Sequence, residues 1–206
     1  MKKALPILLL AAFCAAPAAS APPSLTLKAV PIIVTYGSAT TLSGALSTQK
    51  TGQSVDIRTQ ACGQNVFTKT ASATTTTGGA FTYAAKPTID SNFQAKLKGA
   101  TSPSVQVKVA PVLTLKKLAL GKFSVSATAA QSFAGKYVVF QRLRRTKWVS
   151  LKKVTLTTAK TTTAPTQVTS STFKIKMPAR LRIRAILPAA QAATCYLRAR
   201  STVIRS

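Results

Sequence analysis

Phe93-Gln94-Ala95-Lys96-Leu97-Lys98 alternates an apolar side chain with a polar one at every step, and upstream Phe81, Tyr83 and Ala85 alternate with Thr82, Ala84 and Lys86. A period of two puts one set on one face of an extended chain and the other set opposite. That is the pattern of an antiparallel strand with one side on a core and one in water. Outward from these stretches, similar runs occupy Leu25–Thr35, Ala39–Leu46, Ser54–Gln60, Val66–Thr74 and Ser104–Val109. Thr51-Gly52, Cys62-Gly63 and Gly78-Gly79 supply turn chemistry between them. Apolar residues nowhere recur at three and four residues as a helix requires, and the acids are only Asp56 and Asp90, so Glu is missing altogether. Seven short strands divided by turns predict an all-β sandwich.

The rest of the chain reads as a diverged copy. Gly52–Ile57 matches Gly135–Phe140, and Ala80–Tyr83 matches Thr172–Ile175. Phe93–Leu97 matches Leu181–Ala185, and Ser104–Val107 matches Ser201–Ile204. Matches in the same order argue for a tandem repeat. The expected organisation is residues 22–109 and 110–206, joined near Ala110-Pro111, each large enough to bury its own core. Residues 1–21 read as a cleaved signal peptide. Lys2 and Lys3 precede the apolar run Leu5–Ala16, and Ala19-Ser20-Ala21 is a small-x-small cleavage site. The mature chain has no later run long enough to span a bilayer, and a secreted or cell-envelope location is expected.

Thr35–Leu46 (T-Y-G-S-A-T-T-L-S-G-A-L), then G-Q-S-V-D-I and G-G-A-F-T-Y, resemble the bacterial immunoglobulin-like, fibronectin III-like domains found in tandem in secreted and surface proteins. F-A-G-K-Y-V-V-F-Q-R and K-W-V-S-L in the second half resemble the same class. The resemblance implies two tandem immunoglobulin-like antiparallel β-sandwiches and a role in adhesion, spacing or ligand display. With no recognisable wall anchor and only two modules, it does not imply a long stalk.

Two cysteines, Cys62 and Cys195, remain after cleavage, and an exported setting favours their pairing. In a seven-strand sandwich Cys62 follows the third strand, at the end where the chain leaves the first unit. Cys195 precedes the last strand of the second, at the end where the chain enters. Those ends face each other, so a disulfide clamping the units is expected. A free thiol pair and a bond between molecules are the alternatives.

The charge restricts function most. The chain carries 29 Lys and Arg, two acids and no His. General acid–base catalysis needs His or placed carboxylates, and metal sites need clustered ligands. The chain is therefore read as non-enzymatic, without metal or cofactor. Asp56 reads as a solvated strand residue and Asp90 as a cap of its own turn. Thr161–Thr163 fall in an expected long loop between Ala159 and Ser171. Residues 22–109 carry +6, whereas 110–206 carry 19 cations and no acid. Candidate polyanion-binding residues are Arg142, Arg144, Arg145, Lys147, Lys174, Lys176, Arg180, Arg182 and Arg184. If the third and sixth strands are neighbours, Arg142 and Arg144 lie beside Arg182 and Arg184 as a basic ridge. Lys174 and Lys176 would then lie on the other sheet. The partner class is an anionic cell-envelope polymer or lipid head groups, with nucleic acid bound only non-specifically, by a monomer. A solvated basic surface with no dedicated ligand is the alternative. Trp148 is read as core packing between the sheets, with stacking on a sugar or base as the other option.

Overall fold

The structure is a computed structural model describing residues 22–192 and 194–206; the expected leader, residues 1–21, lies outside the described residues. The chain is all-β. Before Pro111 the strands are β1 (Lys28–Val30), β2 (Ile33–Thr35), β3 (Thr40–Ala45), β4 (Ser54–Ala61), β5 (Thr68–Thr74), β6 (Ala80–Ala85), β7 (Ser91–Leu97), β8 (Ala100–Thr101) and β9 (Val105–Ala110). After it come β10 (Val112–Ala119), β11 (Lys122–Ala129), β12 (Tyr137–Arg144), β13 (Lys147–Thr155), β14 (Thr158–Thr161), β15 (Gln167–Lys174), β16 (Arg182–Leu187), β17 (Ala199–Arg200) and β18 (Ile204–Arg205). In the first half β1-β3-β6 is one sheet and β2-β9-β7-β4-β5 the other, with β8 on β7. In the second half the sheets are β10-β11-β15-β14 and β13-β12-β16-β17, with β18 also on β16. Among the described residues no strand of one half pairs with a strand of the other. This strand order is that of the immunoglobulin sandwich.

The alternation read in the sequence is the alternation of burial. Phe93 and Ala95 are buried on β7, as are Phe123, Val125, Ala127 and Ala129 on β11, and Ile183, Ala185 and Leu187 on β16. In the second half Phe123, Phe140 and Phe173 meet with ring centroids 5.1 to 5.8 Å apart. In the first half Phe81 stands opposite Gly44. A Cβ on Gly44 would run into the Phe81 ring and the Thr26 carbonyl, so this position must stay small.

Two local devices occur in both halves. A bulge follows Ile57 on β4 where it pairs with β5, and another follows Phe140 on β12 where it pairs with β13. Ser102 Oγ accepts the Ala95 N–H at 2.9 Å and donates to the Pro103 carbonyl. Ser201 Oγ does the same with Ala185 N–H at 2.9 Å and the Thr202 carbonyl. These serines align Ala95 with Ala185, so Phe93 corresponds to Ile183 and Val105 to Ile204. The sequence correspondence was two residues early over the last two strands. A shift of two preserves the strand period, so the apolar pattern alone does not reveal it.

Three further expectations change. Leu25–Thr35 is not one strand. Pro31 has no N–H for a ladder, and at Pro31 the chain leaves the β1 sheet, and β2 pairs in parallel with β9. The expected loop from Ala159 to Ser171 is mostly the hairpin of β14 and β15. Asp90 does not cap its own turn. It sits at the junction, where its Oδ1 accepts the Val109 N–H.

That junction is tightly keyed. Cys62 and Cys195 form a disulfide with Cα atoms 5.6 Å apart. Asp90 donates its N–H to the Cys195 carbonyl, and Leu197 donates to the Val109 carbonyl. The Tyr196 hydroxyl donates to the Thr88 carbonyl at 2.7 Å and accepts the Ala130 N–H at 3.0 Å. Tyr36 and Thr166 meet hydroxyl to hydroxyl at 2.9 Å. Burial pushes the Asp90 carboxyl up, partly offset by the Val109 N–H and by Lys108. It pushes the Tyr196 phenol up to about 12.

Candidate anion-binding face

The neighbouring of β12 and β16 holds, but their register divides the arginines. Arg142 stands opposite Ile183, whose side chain is buried, so Arg142 belongs to the core-facing side. Its Nε is buried without a hydrogen-bond partner among the described residues. Arg184 stands opposite Gln141 on the outward side. The expected ridge of Arg142, Arg144, Arg182 and Arg184 therefore does not form. The strands twist and end as they leave the core, and Arg144, on the same parity as Arg142, is exposed. Arg144, Arg145 and Lys147 instead surround the β12–β13 turn, around an open cleft of about 440 Å³ that also touches Val149. Arg145 there has a φ of 55°.

The outward face of the β16 sheet carries a different group. Arg182 stands opposite Arg205, and Ile186 opposite Arg200. Directly opposed residues share a face, so Arg182, Arg184, Arg200 and Arg205 line one side across β16, β17 and β18. The sequence reading missed Arg200 and Arg205. A repeat alignment moved by two residues would have placed both beside Arg182 and Arg184.

Trp148 belongs to this face and not to the core. It pairs with Leu143 on the outward side of β12. The Arg184 guanidinium lies 3.9 Å above its ring, while Arg184 Nε donates to Gln141 Oε1 at 3.0 Å. Such stacking contributes about 0.5–1 kcal/mol at exposed sites, and together the two contacts hold the guanidinium flat on the sheet. Nearby, Lys153 Nζ lies 4.8 Å from the Tyr137 ring centre. Partial burial, and then the like charge of Arg200, lower the Arg184 guanidinium below its ordinary value. Arginine nevertheless stays cationic in water. Its planar fork suits phosphate and carboxylate oxygens.

The remaining candidates lie elsewhere. Lys174 is on β15, on the outward side of the opposite sheet, and pairs with Lys122. Lys152 donates to the Lys174 carbonyl at 3.3 Å. Lys176 and Arg180 lie between β15 and β16, with Arg180 at a φ of 65°. Cations thus wrap the second half, with Arg182, Arg184, Arg200 and Arg205 gathered on one side. Asp56 is on the first half, ion-paired to Lys69 at 2.7 Å, which holds its carboxyl below the usual range. Among the described residues no three His, Cys, Asp or Glu gather in a metal-binding group. No helix among them is long and apolar enough to cross a membrane.

No protein-family model matches the chain, and no curated protein matches it. Among solved structures it is similar to bovine butyrophilin, at 11% identity over 90% of this chain and 98% of that one, with a TM-score of 0.34. It is also similar to a marsupial T cell receptor, at 9% identity over 90% of this chain and 100% of that one, with a TM-score of 0.35.

Proposed function

We propose that the chain is an exported, non-catalytic protein of two tandem immunoglobulin-like modules, held to an anionic surface by the outward arginine face of its second module. One observation carries this: Arg182 stands directly opposite Arg205, beside Arg184 and Arg200, in a half with no acidic side chain to neutralise them. Like charges opposed across strands are destabilising, and an external polyanion relieves that repulsion. The disulfide fits an oxidising, extracytoplasmic compartment. The ligand class is an acidic envelope polymer or anionic lipid head groups.

The reading is tested by binding to vesicles containing phosphatidylglycerol and to a teichoic-acid-type polyphosphate, at several salt concentrations. At about 1 kcal/mol per cation near an anionic membrane, Arg182→Gln with Arg184→Gln weakens binding about thirtyfold. Lys122→Gln with Lys174→Gln, on the opposite sheet, changes it much less. Equal losses from the two pairs would instead support a spacer whose charge has no dedicated ligand. The lysines of that opposite sheet are the observation that favours this second reading.

A further inference from the structure

A second surface, outside the arginine face, has the makings of a ligand site. The disulfide brings Cys62 of the first half against the segment containing Thr194 of the second. Together with Asp90 and the strands beside it they border an open cleft of about 220 Å³. Its wall is a row of amides. Gln60 on β4 stands opposite Asn92 on β7, and Asn92 stands opposite Gln106 on β9. All three point outward, because their neighbours Phe93 and Val107 are buried. Asn92 Nδ2 donates to Gln60 Oε1 at 3.1 Å. This fixes the pair, and it leaves Asn92 Oδ1, Gln60 Nε2 and the whole Gln106 amide free among the described residues.

We propose that this cleft binds the end of a neutral saccharide. Each free amide offers donors and an acceptor, so it can donate to one hydroxyl and accept from the next. Adjacent strands lie about 4.8 Å apart, a spacing comparable with two hydroxyls that flank one carbon of a pyranose ring. Charge selects the class. No Lys or Arg lines the cleft, and the Asp90 carboxylate, fixed by the Val109 N–H at 2.6 Å, repels anionic sugars. Asn92 and Gln106 also occupy the framework positions that Arg182 and Arg205 hold in the second half. One framework row thus carries neutral amides in one half and cations in the other. The amides are placed by first-half strands alone, and the disulfide adds only the Thr194 edge of the cleft.

The test is titration of the full oxidised chain with glucose, galactose, mannose and N-acetylglucosamine. The side-chain amide signals of Gln60, Asn92 and Gln106 are followed in ¹⁵N–¹H spectra. A monosaccharide in an open cleft binds with a Kd of about a millimolar, so additions reach roughly 50 mM. At least one sugar is expected to give saturable shifts centred on these three residues. Gln106→Ala, at an exposed position, is expected to weaken binding at least fivefold with the rest of the spectrum unchanged, and Arg184→Gln to leave it unaltered. Absence of saturable shifts with all four sugars, or equal binding by Gln106→Ala, overturns the proposal.

Discussion

Replacing both junction cysteines, Cys62→Ser with Cys195→Ser, tests how the halves are held together. The bridge joins residues 133 apart in sequence. If the chain unfolds as a whole, it closes a ring of about 134 residues in the unfolded state, for a chain-entropy stabilisation of about 5 kcal/mol. If the first half unfolds alone, the ring runs only from Cys62 to Ala110. That is roughly 50 residues, yet the contribution is still about 4 kcal/mol, because closure entropy grows only with the logarithm of length. If the second half unfolds alone, the value lies between these. The expected loss is therefore insensitive to the unfolding order, and after allowance for native strain it is about 3–4 kcal/mol. Urea unfolding followed by far-UV circular dichroism reads both halves, while fluorescence of Trp148, the one tryptophan, reads the second. Both midpoints are expected to fall. A loss below about 1 kcal/mol by both probes would refute the reasoning, since no order of unfolding leaves the ring short.

Tyr196→Phe removes a hydroxyl that serves both the Thr88 carbonyl and the Ala130 N–H, and is expected to cost about 2 kcal/mol in the same assay. Because the native phenol is pushed up from 10.0 to about 12, the native state keeps a proton that the unfolded chain gives up. The stabilisation is complete below pH 10 and is lost as pH rises from there to about 12, so the difference between wild type and Tyr196→Phe should narrow across that window; a constant difference from pH 9 to 12 would count against it. Ser201→Ala orphans the buried Ala185 N–H and should destabilise by about 1–3 kcal/mol, as should Ser102→Ala in the first half, each measured by urea midpoint. Phe140→Ala, in the three-phenylalanine cluster, is expected to cost about 3–5 kcal/mol by thermal or urea unfolding.

The strands were legible because burial decides them. Phe93, Ala95, Phe81 and Ala85 had to share a side, and they do. The cysteine pairing was legible for a related reason, since strand direction fixes which ends meet. What failed was register. Whether Arg142 or Gln141 faces the arginines of β16 depends on which residue lies opposite Ile183, and nothing in an alternating run marks an absolute offset. Trp148 was misplaced because its large apolar ring suggests a core. The bulge after Phe140 and the Arg184 guanidinium together give that ring an outward, cation-covered position. Pro31 and the exchange of sheet at β2 were visible in composition but not in consequence.

The corrected register also changes what the likeness between the two halves means. Ala95 and Ala185, each bonded to its own buried serine, fix a common frame. On it the outward residues differ while the inward ones stay apolar. Gln94 corresponds to Arg184, Asn92 to Arg182, Thr101 to Arg200 and Gln106 to Arg205, as the matching cross-strand pairs require. A sheet exposes one side to water and packs the other, so its outward row can change charge without touching the core. The two halves therefore differ where divergence is cheap in stability, and four of the second half's arginines stand where the first half carries Gln94, Asn92, Thr101 and Gln106. The amide row of the first half and the arginine row of the second are two surface chemistries on one framework. The disulfide joins the two halves, and a partner spanning both would meet neutral hydrogen-bonding groups on one and cations on the other.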